Sequence, residues 1–90
     1  MIFESDVLEV EEAEKIKDKL LLCLENKEPL VKLDLNNINK IDLSVIQLFL
    51  SLQKSLHTQN RNMTLINCTN SVLEALELSG CSKLFECTYE

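Results

Sequence analysis

Ninety residues, 46% of them apolar and 27% charged, suffice for one hydrophobic core and not for two, so a single domain over residues 1–90 is expected. A formal net charge of −6, with the basic residues scattered, argues against nucleic acid and anionic membrane surfaces, which both require a cationic patch. One glycine and one proline exclude collagen-like and linker character, and the apolar run Leu20–Leu24 is too short to span a bilayer.

The start of the chain, MIFESDVLEVEE, lacks a basic region followed by a long apolar core, so it does not read as a signal peptide and a cytoplasmic location is expected. Met1–Phe3 is predicted as a short edge strand, and Val7–Val10 as a second strand or a turn. From Glu11 the period changes. Ala13, Ile16, Leu20, Cys23 and Leu24 recur at helical spacing, while Glu11, Glu12, Glu14, Lys15, Lys17 and Asp18 face away. Glu11 and Lys15 are placed for an i,i+4 pair. This helix should end near Asn26, ahead of Pro29.

Leu30–Leu35 alternates, with Val31, Leu33 and Leu35 on one face and Leu30, Lys32 and Asp34 on the other, the pattern of a strand. Asn36–Lys40 has loop chemistry. A long apolar helix follows, within Lys40–Thr58. On a helical wheel Gln47, Ser51, Lys54 and Thr58 form a polar stripe, and Val45, Leu48, Phe49, Leu52 and Leu56 form the opposite one. Ile46 and Leu50 widen the apolar arc. They either touch a neighbouring helix or form part of an exposed patch for a partner.

Asn62–Asn67 is a second alternating strand. Asn70–Gly80 is a short helix, with Ser71 and Glu74 fitting a capping box and Gly80 suited to a left-handed C-terminal position. The closing KLFECTYE is a helical turn or a strand. Strands alternating with helices predict an α/β fold: a parallel or mixed sheet of about four strands covered by helices. Partners bind such sheets at the carboxyl ends of the strands, which is where Asn36–Leu43 falls.

Within that region Ser44 admits two readings. Ser44-Val45-Ile46-Gln47 fits a capping box, and Asp42 suits the positive end of the helix. A helix N-terminus also welcomes a phosphate, so Ser44 is a phosphorylation candidate.

Other chemistry is sparse. The four cysteines, Cys23, Cys68, Cys81 and Cys87, show no CxxC spacing, and no histidine stands near enough to suggest a zinc knuckle. They read as core residues or free thiols, with oxidative pairing of Cys81 and Cys87 left open. His57, the one histidine, reads as a solvated residue near a helix end. No nucleophile motif, Gly-rich phosphate loop or metal spacing is present, so neither enzymatic activity nor a cofactor is expected.

The runs LVKLDLNNINKIDLSVIQLFLSLQKSL and MTLINCTNSVLEALELSGCSKLF together resemble a STAS domain, the fold of anti-sigma factor antagonists, from about Val7 onward. The resemblance implies a small non-enzymatic switch that binds an anti-sigma factor with serine kinase activity, or a sensory or chemotaxis complex. In that family the kinase modifies the residue directly after an aspartate, in an Asp-Ser-Ser/Thr-Gly pattern. This chain has Asp42-Leu43-Ser44-Val45. Leu43 holds the acceptor position without a hydroxyl, and Ser44 lies one residue late, about 100° around a helix. The resemblance implies an interface of Asn39, Lys40, Asp42, Leu43, Ser44, Ile46, Gln47 and Leu50, without the standard phospho-switch. The alternative it implies is a small cytoplasmic subunit of a lipid-transport ABC complex.

Overall fold

The computed structural model describes Phe3 and residues 6–90. Its strands are β1 (Val7–Leu8), β2 (Leu30–Asp34), β3 (Lys40–Ile41), β4 (Asn62–Ile66) and β5 (Cys87–Thr88). Its helices are α1 (Ala13–Glu25), α2 (Leu43–Thr58) and α3 (Asn70–Leu78), with a 3₁₀ turn over Val10–Glu12. The strand expected at Met1–Phe3 lies outside the described residues except for Phe3, whose ring packs against Phe49 with centroids 6.0 Å apart.

The strands form two parallel pieces. β1 pairs with β3, and β4 stands between β2 and β5. Burial separates β2 from β4. β2 alternates, with Val31 and Leu33 buried and Leu30 and Lys32 exposed. In β4 all of Met63, Thr64, Leu65 and Ile66 are buried, the pattern of a strand covered on both faces. Lys32 lies beside Thr64 in the register, and its ammonium pairs with the Glu90 carboxylate, which brings the C-terminal residue over that outer face.

On the inner face, Val31, Leu33, Met63 and Leu65 meet Ile16 and Leu20 of α1 and Val45, Ile46, Phe49, Leu52 and Leu56 of α2 in one core. Helix α1 packs on α2, and α3 packs against β3. Glu11, expected to pair with Lys15 along one helix, instead sits in the 3₁₀ turn that precedes α1. No helix among the described residues is long and apolar enough to cross a membrane.

Helix ends are set by backbone geometry. Gly80, at φ 76°, takes the left-handed position after α3. The Gly80 amide donates to Glu77 O and the Cys81 amide to Leu76 O, the two bonds of a Schellman motif. Asn60, at φ 57°, does the same after α2, with bonds from Asn60 to His57 O and from Arg61 to Leu56 O. The start of α3 differs from the expected capping box at Ser71. The helix begins two residues earlier than that cap implies, and its own cap is Thr69, whose Oγ1 accepts from the Val72 amide at 3.3 Å.

Candidate functional site

The segment from Leu35 to Gln47 joins the carboxyl end of β2 to the first turns of α2. Its backbone is tied down at several points. The Leu35 amide donates to Ile66 O, and the Ile38 amide donates back to Leu35 O, closing a turn. Asp34 Oδ1 accepts from the Asn36 amide at 3.0 Å, an Asx-turn contact that fixes the direction of the loop. Ile38 is 1% exposed and anchors the loop in the core. Its carbonyl accepts from Thr69 Oγ1 at 2.6 Å, so one threonine both caps α3 and holds this loop.

The far side of the loop is held by β1. The Asn39 amide donates to Asp6 O and the Asp42 amide to Leu8 O, flanking the β1–β3 pairing. Lys40 Nζ reaches Glu9 Oε1 at 3.2 Å, an ion pair at the surface. Such a pair contributes only ~0.5 kcal/mol, so the backbone bonds fix this segment.

Those bonds decide where α2 begins. Because Leu8 O takes the Asp42 amide, the strand ends at Ile41 and Asp42 becomes the N-cap residue with extended geometry. Its carbonyl accepts from the Val45 and Ile46 amides. Ser44 is therefore the second helical residue, and the expected Ser44–Gln47 capping box is absent. The Ser44 hydroxyl oxygen is enclosed and makes no hydrogen bond. The cap reading therefore does not describe Ser44.

The remaining expected site residues divide clearly. Asn39, Lys40, Leu43 and Gln47 are exposed, and Leu43 is 53% exposed at the head of α2. Asp42 is half-buried beside it. Leu50 is half-buried and packs against the core. Ile46 is 1% exposed and belongs to the core, so the exposed patch proposed for it is corrected. The wide apolar arc of α2 arises because the helix packs on two partners at once, the sheet on one side and α1 on the other. Leu48 lies on the α1 side, lining a groove of ≈ 310 Å³ with Leu20, Leu21, Leu24 and Lys17.

Two residues that matter here carried no sequence signal singled out above. Thr69 stands in Thr-Asn-Ser, three consecutive residues of cap type, and pattern alone does not choose among them. Ile38 is a lone apolar residue in a polar loop, which is itself a sign of an anchor.

No group of three or more His, Cys, Asp or Glu side chains among the described residues is arranged to hold a metal ion. Asn39, Lys40, Leu43 and Gln47 are each exposed and differ in polarity, and backbone hydrogen bonds hold the Asn39 and Asp42 amides of the segment that carries them.

Residues 5–86 match a family model described as "Mlab, STAS domain". No curated protein matches the sequence. Among solved structures, the unphosphorylated form of the anti-sigma factor antagonist SpoIIAA is similar, with a TM-score of 0.77 and 16% identity over 96% of this chain and 75% of that one. A candidate anti-sigma factor antagonist from Thermotoga maritima gives a TM-score of 0.80 and 19% identity, over 99% of this chain and 77% of that one. At these identities the likeness establishes the fold.

Proposed function

The chain belongs to the STAS domain family, and from that premise we propose that it is a non-enzymatic regulator acting by docking on a protein partner. The partner is an anti-sigma factor with serine kinase activity or a sensory complex. The contact surface comprises Asn39, Lys40, Asp42, Leu43, Gln47 and the exposed edge of Leu50. One observation carries this reading. Leu43, a large apolar side chain, stands 53% exposed at the head of α2 on a loop whose backbone is fixed from three directions. An ordered apolar residue within a polar rim supplies contact area at little cost in ordering.

Regulation in this reading does not run through phosphorylation at the position after Asp42. Leu43 has no hydroxyl, and the hydroxyl of Ser44 is enclosed. The same observation favours a second reading, an assembly subunit of a lipid-transport ABC complex, which needs no phosphate.

Affinity capture of the tagged chain from its own cells tests both readings. Leu43→Glu is expected to weaken the captured partner at least about tenfold, the scale of a lost interface anchor. Leu22→Glu, at a still more exposed leucine on α1, is expected to leave it unchanged. Circular dichroism of both variants should match the parent. Equal retention by both variants removes the head of α2 as the interface. A kinase or sensory partner supports the first reading, and a transporter subunit the second.

A further inference from the structure

Away from the candidate site, two cysteines far apart in sequence meet. Cys68 follows the end of β4 and Cys87 opens β5, 19 positions later, yet their Sγ atoms stand 3.7 Å apart. Cys68 is 5% exposed and Cys87 is half-buried. Asn67, at φ 56°, ends β4 and turns the chain into Cys68. The segments carrying the two thiols are then held together from several directions. Cys87 lies beside Leu65 in the β4–β5 register. The Asn67 amide donates to Thr88 O, the Tyr89 hydroxyl donates to Cys68 O, and the Glu90 amide donates to Asn67 Oδ1. The cysteine pair left open by the sequence, Cys81 with Cys87, is not the one brought together. The Cys81 thiol points to Ser79 O at 3.6 Å in the turn after α3.

We propose that Cys68 and Cys87 are a redox-modification site that closes to an intramolecular disulfide by exchange with a low-molecular-weight disulfide of the glutathione class. A disulfide bond is about 2.05 Å long, so closure requires roughly 2 Å of further approach from the observed contact, within reach of side-chain rotation and a small shift of the C-terminal strand. The half-buried Cys87 attacks first. Its thiolate displaces one thiolate from the external disulfide, giving a mixed disulfide on Cys87. Cys68 then attacks the Cys87 sulfur, passing its proton to the departing thiolate. Two protein thiols are oxidised, one external disulfide is reduced to two thiols, and atoms and electrons balance. This order follows from the environments. Burial, reinforced by Cys87, pushes the Cys68 thiol up to about 12, so Cys68 is a poor first nucleophile and serves as the resolving thiol. In a reducing compartment the pair rests as the dithiol.

Incubation of the full chain with excess glutathione disulfide, then alkylation under denaturing conditions and peptide mass mapping, tests the assignment. The expected product links the Cys68 and Cys87 peptides, with Cys23 and Cys81 alkylated and dithiothreitol reversing the link. The melting temperature of the oxidised chain should rise by at least about 5 °C, because the new bond constrains the unfolded state. In Cys87→Ser the reaction should leave Cys68 fully alkylatable. Three results overturn the proposal: a link that uses Cys23 or Cys81, a mixed disulfide on Cys87 with Cys68 still free, or a Cys68–Cys87 link that forms only in urea. All three are read on the natural sequence, so the folding of the variant does not decide the test.

Discussion

The carboxyl end of β2 and the amino end of β4 are both crowded with polar groups, and they use them in opposite ways. At the carboxyl end, backbone bonds from Asp6, Leu8, Leu35 and Ile66 and one buried isoleucine hold the loop, which leaves Asn39, Lys40 and Gln47 exposed. At the amino end a side chain does the holding. Arg61 is 8% exposed, and its guanidinium is consumed internally. Nε donates to Glu28 O, Nη2 to Cys23 O, and Nη1 to both Leu24 O and Gln59 Oε1, all between 2.8 and 3.1 Å. Cys23 and Leu24 lie in the last turn of α1, whose carbonyls lack helical partners and carry the negative end of the helix dipole. A buried cation there is a structural lock. The polar side chains Asn39, Lys40 and Gln47 at the other end stay at the surface, where the proposed contact lies. Charge alone does not distinguish the two roles, whereas the fate of the backbone carbonyls does.

Arg61→Ala should produce the largest effect. It leaves the carbonyls of Cys23, Leu24 and Glu28 without their buried donor and is expected to lower the unfolding free energy by about 3 kcal/mol in urea titration. A loss under about 1 kcal/mol would mean that water replaces the guanidinium and that the lock is not structural.

Thr69→Val is next. It keeps the shape and removes both the α3 cap and the donor to Ile38 O. A loss of about 1.5 kcal/mol is expected. Amide exchange should accelerate at Ile38 and Asn39 here and not in Arg61→Ala, and equal acceleration in both variants would show that the two ends are not independent.

Leu43→Glu should weaken partner capture at least about tenfold while shifting stability by less than about 0.5 kcal/mol, as expected of an exposed residue. The smallest effect belongs to Ser44→Ala. An N-cap serine would lose about 1 kcal/mol on this change. An enclosed hydroxyl without a partner should lose nothing, and the variant is expected to be neutral or more stable by about 0.5 kcal/mol in the same titration. A clear destabilisation would restore the capping role.

Legibility in the sequence followed the range of the signal. The strand Leu30–Leu35 and the stripe on α2 were readable because alternation and helical spacing are local patterns. The head of α2 was locatable because a polar loop precedes an apolar helix, whereas β3 at Lys40–Ile41 was not, because its pairing with β1 is non-local. The helical wheel left Ile46 open between a neighbouring helix and an exposed patch, and its burial selects the first, because α2 packs in two directions. The cap residues of α2 and α3 were each placed too late, by two residues. In both cases the segment offers several oxygen-bearing side chains, and the choice falls to a distant backbone atom: Leu8 O fixes Asp42, and Ile38 O fixes Thr69.

By itself the sequence determined the α/β class, the order of its main elements, the glycine-terminated α3 and the absence of a hydroxyl at position 43. Each follows from residue type or from periodicity over a few residues, which the chain carries wherever it goes. Tertiary structure decided that β4 is buried on both faces, that Arg61 closes the end of α1, that Cys68 meets Cys87, and which residues of the α2 head remain at the surface. Each of these depends on atoms tens of residues away, brought together by parallel pairing of β2, β4 and β5, and no local pattern encodes that register.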